Sequence, residues 1–277
     1  MLTPSPAEYW NNKKGYAPNW YSFMATLISE RVTGSQDLFP VYWAFERCNL
    51  PVGTLLEVGC LEGDKLVLLQ SKGLAQTYVG LDIADRAIER GKAKHGDRVE
   101  LFVMDLNTPS LPRARYSVIS ANGVLHHIDN LEICAQALYD ALEPGGYLFA
   151  SEFTGPRRYE YSRKEIRLIR EGQQMLPMGL QGEPFDPTQL RPKLDADPSE
   201  SVRTRDIEPI LRATFDEVLV RPFGGNVLMR ALTHNFFDAF SPESAEHADA
   251  LRRLIEFDTH VYASEPSHHC YFVASKH

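Results

Sequence analysis

The stretch TLLEVGCLEGDKL, residues 54–66, decides the fold expected of this chain. An apolar run reaches Glu57, turns through Gly59 and Gly63, and continues as a charged, helix-like segment. A strand that ends in an acid and is followed by glycines and a helix start is typical of a nucleotide-type site, because the first turn of a helix offers unpaired N–H groups to a ligand. The stretch therefore predicts a strand–turn–helix unit that binds a ligand at its turn.

Two common glycine motifs do not fit this turn. A dinucleotide-binding turn needs glycines at the third and sixth positions counted from Gly59, and the chain has Leu61 and Asp64 there. A P-loop needs a GKS or GKT ending, which GCLEGDK lacks. The sequence thus argues against both kinds of site.

The rest of the chain alternates strand-like and helix-like segments. The strand-like runs are TLLEV, TYVGLD, ELFVMD, YSVISAN and YLFASEF, and two more, DEVLV and YFVAS, follow after long gaps. Alternation of this kind predicts βαβ units, and therefore an α/β fold with a parallel sheet that has helices on both faces.

Composition excludes several classes of function. The net charge is −8 and no basic stripe is visible, which argues against a nucleic-acid partner. The N-terminus lacks an apolar export segment and no run approaches the ~20 apolar residues of a membrane span, so we expect a cytoplasmic protein. The four cysteines lack CxxC spacing and the pair His268–His269 has no second ligand cluster nearby, so no metal site is expected.

Five segments in order resemble the motifs of class I S-adenosylmethionine-dependent methyltransferases. The first is the E-x-G-x-x-x-G pattern that begins at Glu57. The others are YVGLDIA, VELFVMDLN, YSVISANGVLHHIDN and LYDALEPGGYLFASEF. The usual family form has a glycine where this chain has Leu61, and we expect that position not to need a positive φ.

The resemblance implies a Rossmann-like, mostly parallel sheet of seven strands with an antiparallel last strand. It also implies S-adenosyl-L-methionine as cofactor and S-adenosyl-L-homocysteine as product. In this family the acid at Asp82 binds the ribose hydroxyls and the acid at Asp105 binds the adenine amino group. The cofactor-binding residues expected on this basis are Glu57, Gly59, Cys60, Gly63, Asp82, Ile83, Met104, Asp105, Leu106 and Asn122.

Segments outside the motifs are predicted to build the acceptor side. We expect a helical arm or lid over residues 1–50 and a methyltransferase domain over 51–277, with inserts at about 154–205 and 222–268 after strands 5 and 6. Because both inserts leave the carboxyl ends of parallel strands, they are expected to form the acceptor pocket. Ser162 and Ser241 are predicted helix caps.

Catalytic candidates lie after the fourth and fifth strands. His126, His127 and Glu152 are near enough to the expected methyl group to take a proton from an alcohol or amine. Since adjacent residues at a helix start point in different directions, only one histidine is expected to face the site, with His126 favoured. Either ring is alternatively a structural hydrogen-bonding group.

The acceptor is expected to be a small molecule. The inserts resemble a bacterial subgroup of these enzymes associated with glycans or specialised metabolites, and Tyr159, Arg203 and Arg157 are the expected acceptor contacts. The predicted reaction is methyl transfer to oxygen or nitrogen of a sugar, glycan precursor or natural product. Two alternatives stay open, a cofactor-binding partner protein without turnover and another alkyl transferase on the same fold. The oligomeric state is open as well, a homodimer included.

Overall fold

The computed structural model describes residues 18–232, 236, 239–241 and 243–277, with side chains from residue 23 onward. The first 17 residues of the expected arm therefore lie outside the described residues. Within the described ranges, one sheet contains seven strands: β1 (Val52–Val58), β2 (Ala75–Asp82), β3 (Glu100–Val103), β4 (Tyr116–Asn122), β5 (Leu142–Phe153), β6 (Glu217–Gly224) and β7 (His269–Ser275).

The strand order is β3-β2-β1-β4-β5-β7-β6. Strands β1 to β5 pair in parallel, and β7 lies antiparallel between β5 and β6. The sheet thus confirms the predicted seven-stranded, mostly parallel fold with an antiparallel last strand. The strand order changes direction between β1 and β4, which is where open sheets of this type bind ligands.

Helices cover both faces of this sheet, as predicted. Their bounds are α1 (Pro18–Thr33), α2 (Pro40–Phe45), α3 (Asp64–Ser71), α4 (Asp85–His95), α5 (Leu131–Ala141), α6 (Arg163–Gln174), α7 (Arg191–Ala196), α8 (Ile207–Thr214), α9 (Leu228–Ala231) and α10 (Ala245–Ser264). Buried side chains of α5 and α8 pack on one face, and those of α2, α3 and α4 pack on the other. Burial of this apolar surface is the main stabilising contribution to such a fold.

The two long inserts fold as helical layers with cores of their own. The first contributes Tyr159, Tyr161, Ile169 and Phe185 to an apolar cluster that also contains Phe153 at the end of β5. The second packs α9 and α10 against α1 in another. Since β6 runs parallel to β5, both inserts begin at the same carboxyl edge of the sheet. None of the described helices is both long and apolar enough to cross a membrane.

Helix caps show one correct and one wrong prediction. The Ser162 side chain accepts the N–H of Glu165, whose carboxylate accepts the Ser162 N–H in return, so the predicted capping box is confirmed. The predicted cap at Ser241 is wrong, because α10 begins three residues later and is capped by Ser244, which accepts the N–H of His247. Ser241 instead donates its hydroxyl to Glu243.

Candidate active site

The turn after β1 has three residues in the left-handed region. Gly59, Leu61 and Gly63 have φ values of 71°, 49° and 79°. The expectation that Leu61 does not need a positive φ was therefore wrong. A side chain at Gly59 would meet Val124 at 2.9 Å, so that glycine is required both for its φ and for space. The backbone keeps the tight turn of the family although one glycine is replaced.

The Glu57 carboxylate is buried at the end of β1, with 4% of the residue exposed. Its Oε1 lies 3.1 Å from the ammonium of Lys65, in the first turn of α3. Its Oε2 has no hydrogen-bond donor in the part of the chain that the structure describes. Burial raises the pKa of Glu57, and Lys65 acts in the opposite direction. Lys65 is not among the site residues that the sequence predicts.

Asp82, at the end of β2, holds the glycine turn in place. Its Oδ2 accepts the N–H of Leu61 at 2.8 Å, and its Oδ1 accepts the N–H of Ala84 at 2.9 Å. Burial raises the pKa of Asp82, while N–H donors from Ala84, Leu61 and Ile83 act to lower it. The carboxylate therefore stands at the rim of the turn with its orientation fixed.

The other expected cofactor residues lie along the same edge of the sheet. Asp105 follows β3 and accepts the N–H of Asn107 at 2.8 Å, which makes a local turn. The Met104 N–H donates to the carbonyl of Asp82, and the Asn122 amide donates to Ser120 at 2.8 Å. Cys60 and Leu106 are buried, whereas Ile83 is half-buried. The structure thus brings all of these residues to the carboxyl ends of β1 to β4.

His126 and Glu152 form a buried pair where β4 and β5 end. Nδ1 of His126 lies 2.7 Å from Glu152 Oε2, and Oε1 accepts the N–H groups of Val124 and Leu125 at 2.9 and 2.8 Å. Burial acts to lower the pKa of His126, but the Glu152 hydrogen bond and the charges of Glu152 and Glu200 outweigh it, so the pKa is raised above 6.5. All these bonds make Glu152 a positioning group for the imidazole.

His126 and His127 lie next to each other at the end of β4, and the prediction that only one of them faces the acceptor stays a prediction. The rings of His126 and His127 lie side by side with centroids 4.1 Å apart. Nδ1 of His127 lies 3.0 Å from the Ser199 hydroxyl, in the first insert. Both residues belong to the short 3₁₀ turn Leu125–His127, and Val202 of the insert donates its N–H to the His126 carbonyl. The insert therefore covers both rings.

Glu200 of the first insert completes this polar cluster. Its Oε1 accepts the Tyr159 hydroxyl at 2.8 Å and lies 3.7 Å from Nε2 of His126. Its Oε2 lies 2.8 Å from the ammonium of Lys193. Although burial acts to raise it, the charges of His126 and Lys193 hold the pKa of Glu200 well below its usual range. Glu200 thus stays ionised.

Of the three expected acceptor contacts, the structure places one in this cluster. The Tyr159 ring lies under the guanidinium of Arg230, 4.7 Å from its centroid, and Arg230 also donates to the Tyr161 hydroxyl. Arg203 instead forms ion pairs with Glu132 and Asp206. Arg157 is exposed on the short turn Arg157–Tyr159. Arg230 lies 71 residues after Tyr159, and no local sequence pattern predicts that the two side chains are in contact.

One group in the described residues has a spacing that a metal ion would accept. Single ligand atoms of His126, His127 and Glu200 lie within 4.8 Å of one another. Lys193 already supplies the counter-charge to Glu200, so this cluster is neutralised by the protein itself. This group could not be recognised from the sequence, because two adjacent histidines and a glutamate 73 residues later do not have the spacing of a metal-binding motif.

A cavity of about 310 Å³ opens beside β4, β5 and β7. Lys65, Asn122, Ser151 and Tyr271 form its wall on the sheet side. Its apolar roof is formed by the first two helices and the segment between them, with Met24, Ala25, Ile28, Phe39, Pro40 and Val41. The described part of the expected arm thus lies over this cavity, which Asn122 of the expected cofactor residues also lines.

Comparison with known sequences identifies the family. The model of a family described as a methyltransferase domain matches residues 36–192, which is more than half of the chain. The chain belongs to this family. An uncharacterized methyltransferase of Mycobacterium bovis is 27% identical over 118 residues, which cover 42% of this chain and 59% of that protein. A Mycobacterium tuberculosis protein of the same description gives the same values, so this methyltransferase-family chain spans 59% of the length of these curated relatives.

Solved structures show the same fold. Geranyl diphosphate C-methyltransferase from Streptomyces coelicolor, in complex with Mg²⁺, geranyl diphosphate and S-adenosyl-L-homocysteine, has a TM-score of 0.55 at 13% identity, with 98% of this chain and 96% of that one covered. Phosphoethanolamine N-methyltransferase 2 from Haemonchus contortus, in complex with S-adenosyl-L-methionine, has a TM-score of 0.54 at 16% identity, with 99% and 60% covered. The [4+2]-cyclase SpnF has a TM-score of 0.51 at 15% identity, with 96% and 85% covered.

The family match confirms the prediction of a methyltransferase domain, and the solved structures confirm its fold. At these identities the solved structures show the fold of this chain but do not identify its acceptor.

Proposed function

We propose that this chain catalyses methyl transfer from S-adenosylmethionine to an oxygen or nitrogen atom of a small molecule such as a sugar, a glycan precursor or a natural product. The single observation that carries this proposal is the buried His126–Glu152 pair at the carboxyl ends of β4 and β5. An alcohol or protonated amine must lose a proton before it accepts a methyl group, and a fixed imidazole is suited to take it.

The residues at the turn after β1 fit this cofactor. Asp82 stands at the rim with a fixed carboxylate, and Glu57 keeps an oxygen without a donor among the described residues. We assign Glu57, Asp82 and Asp105 to cofactor binding, together with the backbone of the glycine turn. The bound cofactor supplies an electrophilic methyl group on its sulfonium.

His126 is proposed as the proton acceptor. Glu152 lies on Nδ1 and so directs Nε2 away from β5, toward the first insert. The raised pKa makes His126 a stronger base than an ordinary histidine, but only the neutral imidazole accepts a proton. The rate should therefore fall as the pH is lowered through that raised pKa.

The first insert is proposed to select the acceptor. Tyr159, Lys193 and Arg230 lie together next to the histidine pair, and the described residues offer Arg230 no carboxylate. Three residues of this region, Arg158, Tyr159 and Ser201, have φ values between 49° and 58°. Such strain in residues other than glycine is commonly found at functional sites. An aromatic ring between two cations suits an acceptor that bears hydroxyl groups or a negative charge.

The experiment is a search for an acceptor followed by one substitution. Mass spectrometry would detect the gain of one methyl group across a panel of sugars, nucleotide sugars and phenolic metabolites. With the acceptor found, His126→Ala is expected to lower kcat by roughly 10²-fold or more and to leave cofactor affinity almost unchanged. The matched control is His260→Ala, an exposed histidine on α10.

Two outcomes would contradict the proposal. An unchanged kcat in His126→Ala would remove this residue as the base. Tight cofactor binding without turnover of any acceptor would favour a cofactor-binding partner protein instead.

A further inference from the structure

Tyr271 is a buried tyrosine of β7 with an unused hydroxyl group. Only 3% of the residue is exposed, and its ring packs edge-to-face against the ring of Trp43, with centroids 6.3 Å apart. Burial raises the pKa of its phenol far above the usual range, so the hydroxyl keeps its proton and can donate it. This hydroxyl has no hydrogen-bond partner in the part of the chain that the structure describes. A buried hydroxyl without a partner is costly, and a bound ligand would remove that cost.

Ser151 of β5 lies next to Tyr271 and is in a similar situation. The two residues pair across their strands, so their side chains point to the same face of the sheet. The Ser151 hydroxyl likewise forms no hydrogen bond within the described ranges. Both residues line the cavity of about 310 Å³. Since small-molecule sites have volumes of roughly 300–1,000 Å³, this cavity can hold a small ligand next to two available hydroxyl groups.

The remaining wall of the cavity offers a ligand no free charge. Lys65 is the one charged residue among the described residues that line it, and its ammonium already lies 3.1 Å from Glu57. Six residues of α1, α2 and the segment between them form the opposite wall, and all six are apolar. A charged ligand would lose hydration without gaining a counter-charge, and a sugar would place several hydroxyl groups against apolar side chains. The cavity therefore fits an apolar group that carries one polar atom.

Asn122 connects this cavity to the expected reaction centre. It lines the cavity, pairs with Ser151 across β4 and β5, and is one of the residues expected to contact the cofactor. The next residue, Gly123, donates its N–H to the Ser151 carbonyl at 2.8 Å and leads into the turn that carries His126. The cavity thus borders both an expected cofactor contact and the turn of the proposed base. A methyl acceptor has to lie close to both.

We propose that this cavity binds an uncharged, largely apolar part of the acceptor, and that Tyr271 and Ser151 form hydrogen bonds to the one polar group of that part. This inference rests on the proposed function, because it takes a methyl acceptor as the ligand. It narrows the acceptor to a natural product with an aromatic or aliphatic body, such as a phenolic metabolite, and disfavours sugars and nucleotide sugars. Tyr271 is thereby a specificity-determining residue.

The first test is isothermal titration calorimetry on the full chain in the presence of S-adenosylhomocysteine. Three test ligands are compared: 2-naphthol, which carries one hydroxyl on two apolar rings, 2-naphthoate, which carries a carboxylate instead, and glucose. The wild type should bind 2-naphthol more tightly than either of the others. Tyr271→Phe should weaken binding of 2-naphthol by roughly 3- to 10-fold, the range expected for a lost hydrogen bond between uncharged groups.

Two further variants show where the test ligand binds. Ala25→Trp places a large side chain in the cavity from α1 and should abolish binding of 2-naphthol. Tyr147→Phe is the matched control, since Tyr147 is a partly buried tyrosine near the other end of β5 and does not line this cavity. It should bind 2-naphthol as the wild type does. All three variants should keep their affinity for S-adenosylhomocysteine, which also shows that they are folded.

The second test uses turnover. In a search for methyl gain by mass spectrometry, phenolic metabolites should be methylated and sugars and nucleotide sugars should not. With the acceptor found, Tyr271→Phe should raise its KM by roughly 3- to 10-fold and leave kcat and the KM of the cofactor almost unchanged.

The outcomes separate this inference from the proposed function. Unchanged binding of 2-naphthol in Tyr271→Phe or Ala25→Trp, or methylation of sugars alone, would overturn the inference and leave the methyltransferase proposal standing. Weaker binding of S-adenosylhomocysteine in Tyr271→Phe would assign the cavity to the cofactor and overturn the inference as well. A chain that binds 2-naphthol as expected but methylates no acceptor would overturn the proposed function, and the cavity would remain a site for an uncharged ligand.

Discussion

The backbone N–H of Leu61 donates a 2.8 Å hydrogen bond to the carboxylate of Asp82. The turn after β1 and the end of β2 are therefore one unit, and the residue that replaces the usual glycine is part of it. Leu61 makes this bond with a φ of 49°, in the left-handed region that glycine adopts without a steric penalty.

Asp82→Ala should weaken binding of S-adenosylmethionine by about 1.5–3 kcal/mol, because the ribose hydroxyls lose a charged acceptor and the turn loses its anchor. Calorimetry on the purified variant measures this. Asp97→Ala, an exposed acid in the turn after α4, serves as the matched control. Unchanged affinity in Asp82→Ala would remove this residue from the site.

Leu61→Gly should raise the free energy of unfolding by about 0.5–1 kcal/mol, since glycine adopts the φ of 49° without the penalty of a Cβ atom. Urea denaturation measures the change. Leu61→Ala keeps the Cβ atom and should not gain this stability. A destabilised glycine variant would show that packing of the leucine side chain outweighs its backbone strain.

Glu152→Gln should lower the pKa of His126, because the neutral amide no longer favours the imidazolium ion as the carboxylate does. NMR titration of the histidine ring protons measures this without any acceptor. In the wild type the His126 resonance should titrate above 6.5, and in the variant it should titrate at lower pH. A wild-type midpoint below 6.5 would contradict the proposed strength of this base.

Cofactor binding and turnover should persist in EDTA. Glu57 is neutralised by Lys65, and Glu200 is neutralised by Lys193, so neither acid needs a metal ion. Calorimetry and activity assays on the chelator-treated protein check this. Activity that returned only on addition of a divalent metal would assign His126, His127 and Glu200 as ligands instead.

The sheet and the ends of its strands could be predicted from the sequence because alternating apolar runs and turn residues are local signals. The exact cap of α10 could not, since Ser241 and Ser244 lie three residues apart in similar surroundings. The φ of Leu61 was misjudged because it depends on how the turn must be oriented for the Leu61 N–H to reach the Asp82 carboxylate. That orientation depends on a residue of the next strand.

The acceptor side was less predictable because its contacts are long-range. Arg203 was an expected contact, yet its guanidinium meets Glu132, which lies 71 residues earlier. Lys193, Glu200 and Arg230 come from separate parts of the two inserts and meet only around Tyr159. Because no local sequence pattern links these residues, their contacts could be found only from the three-dimensional structure.

Arg31 of α1 and Asp258 of α10 form a buried ion pair at 2.7 Å, and Asp258 also accepts the N–H groups of Gly225, Val227 and Leu228. Both partners of the pair lie outside residues 36–192, the range that the family shares. A chain trimmed to that range would also lose β6 and β7, and so leave one side of β5 without a strand to pair with. A chain that is shortened only at its start, past Arg31, would leave Asp258 buried without its partner, and loss of one partner alone from a buried pair costs about 3–5 kcal/mol. The smallest piece of this protein expected to fold by itself therefore extends from α1 to β7. It is longer at both ends than residues 36–192, which the family model matches.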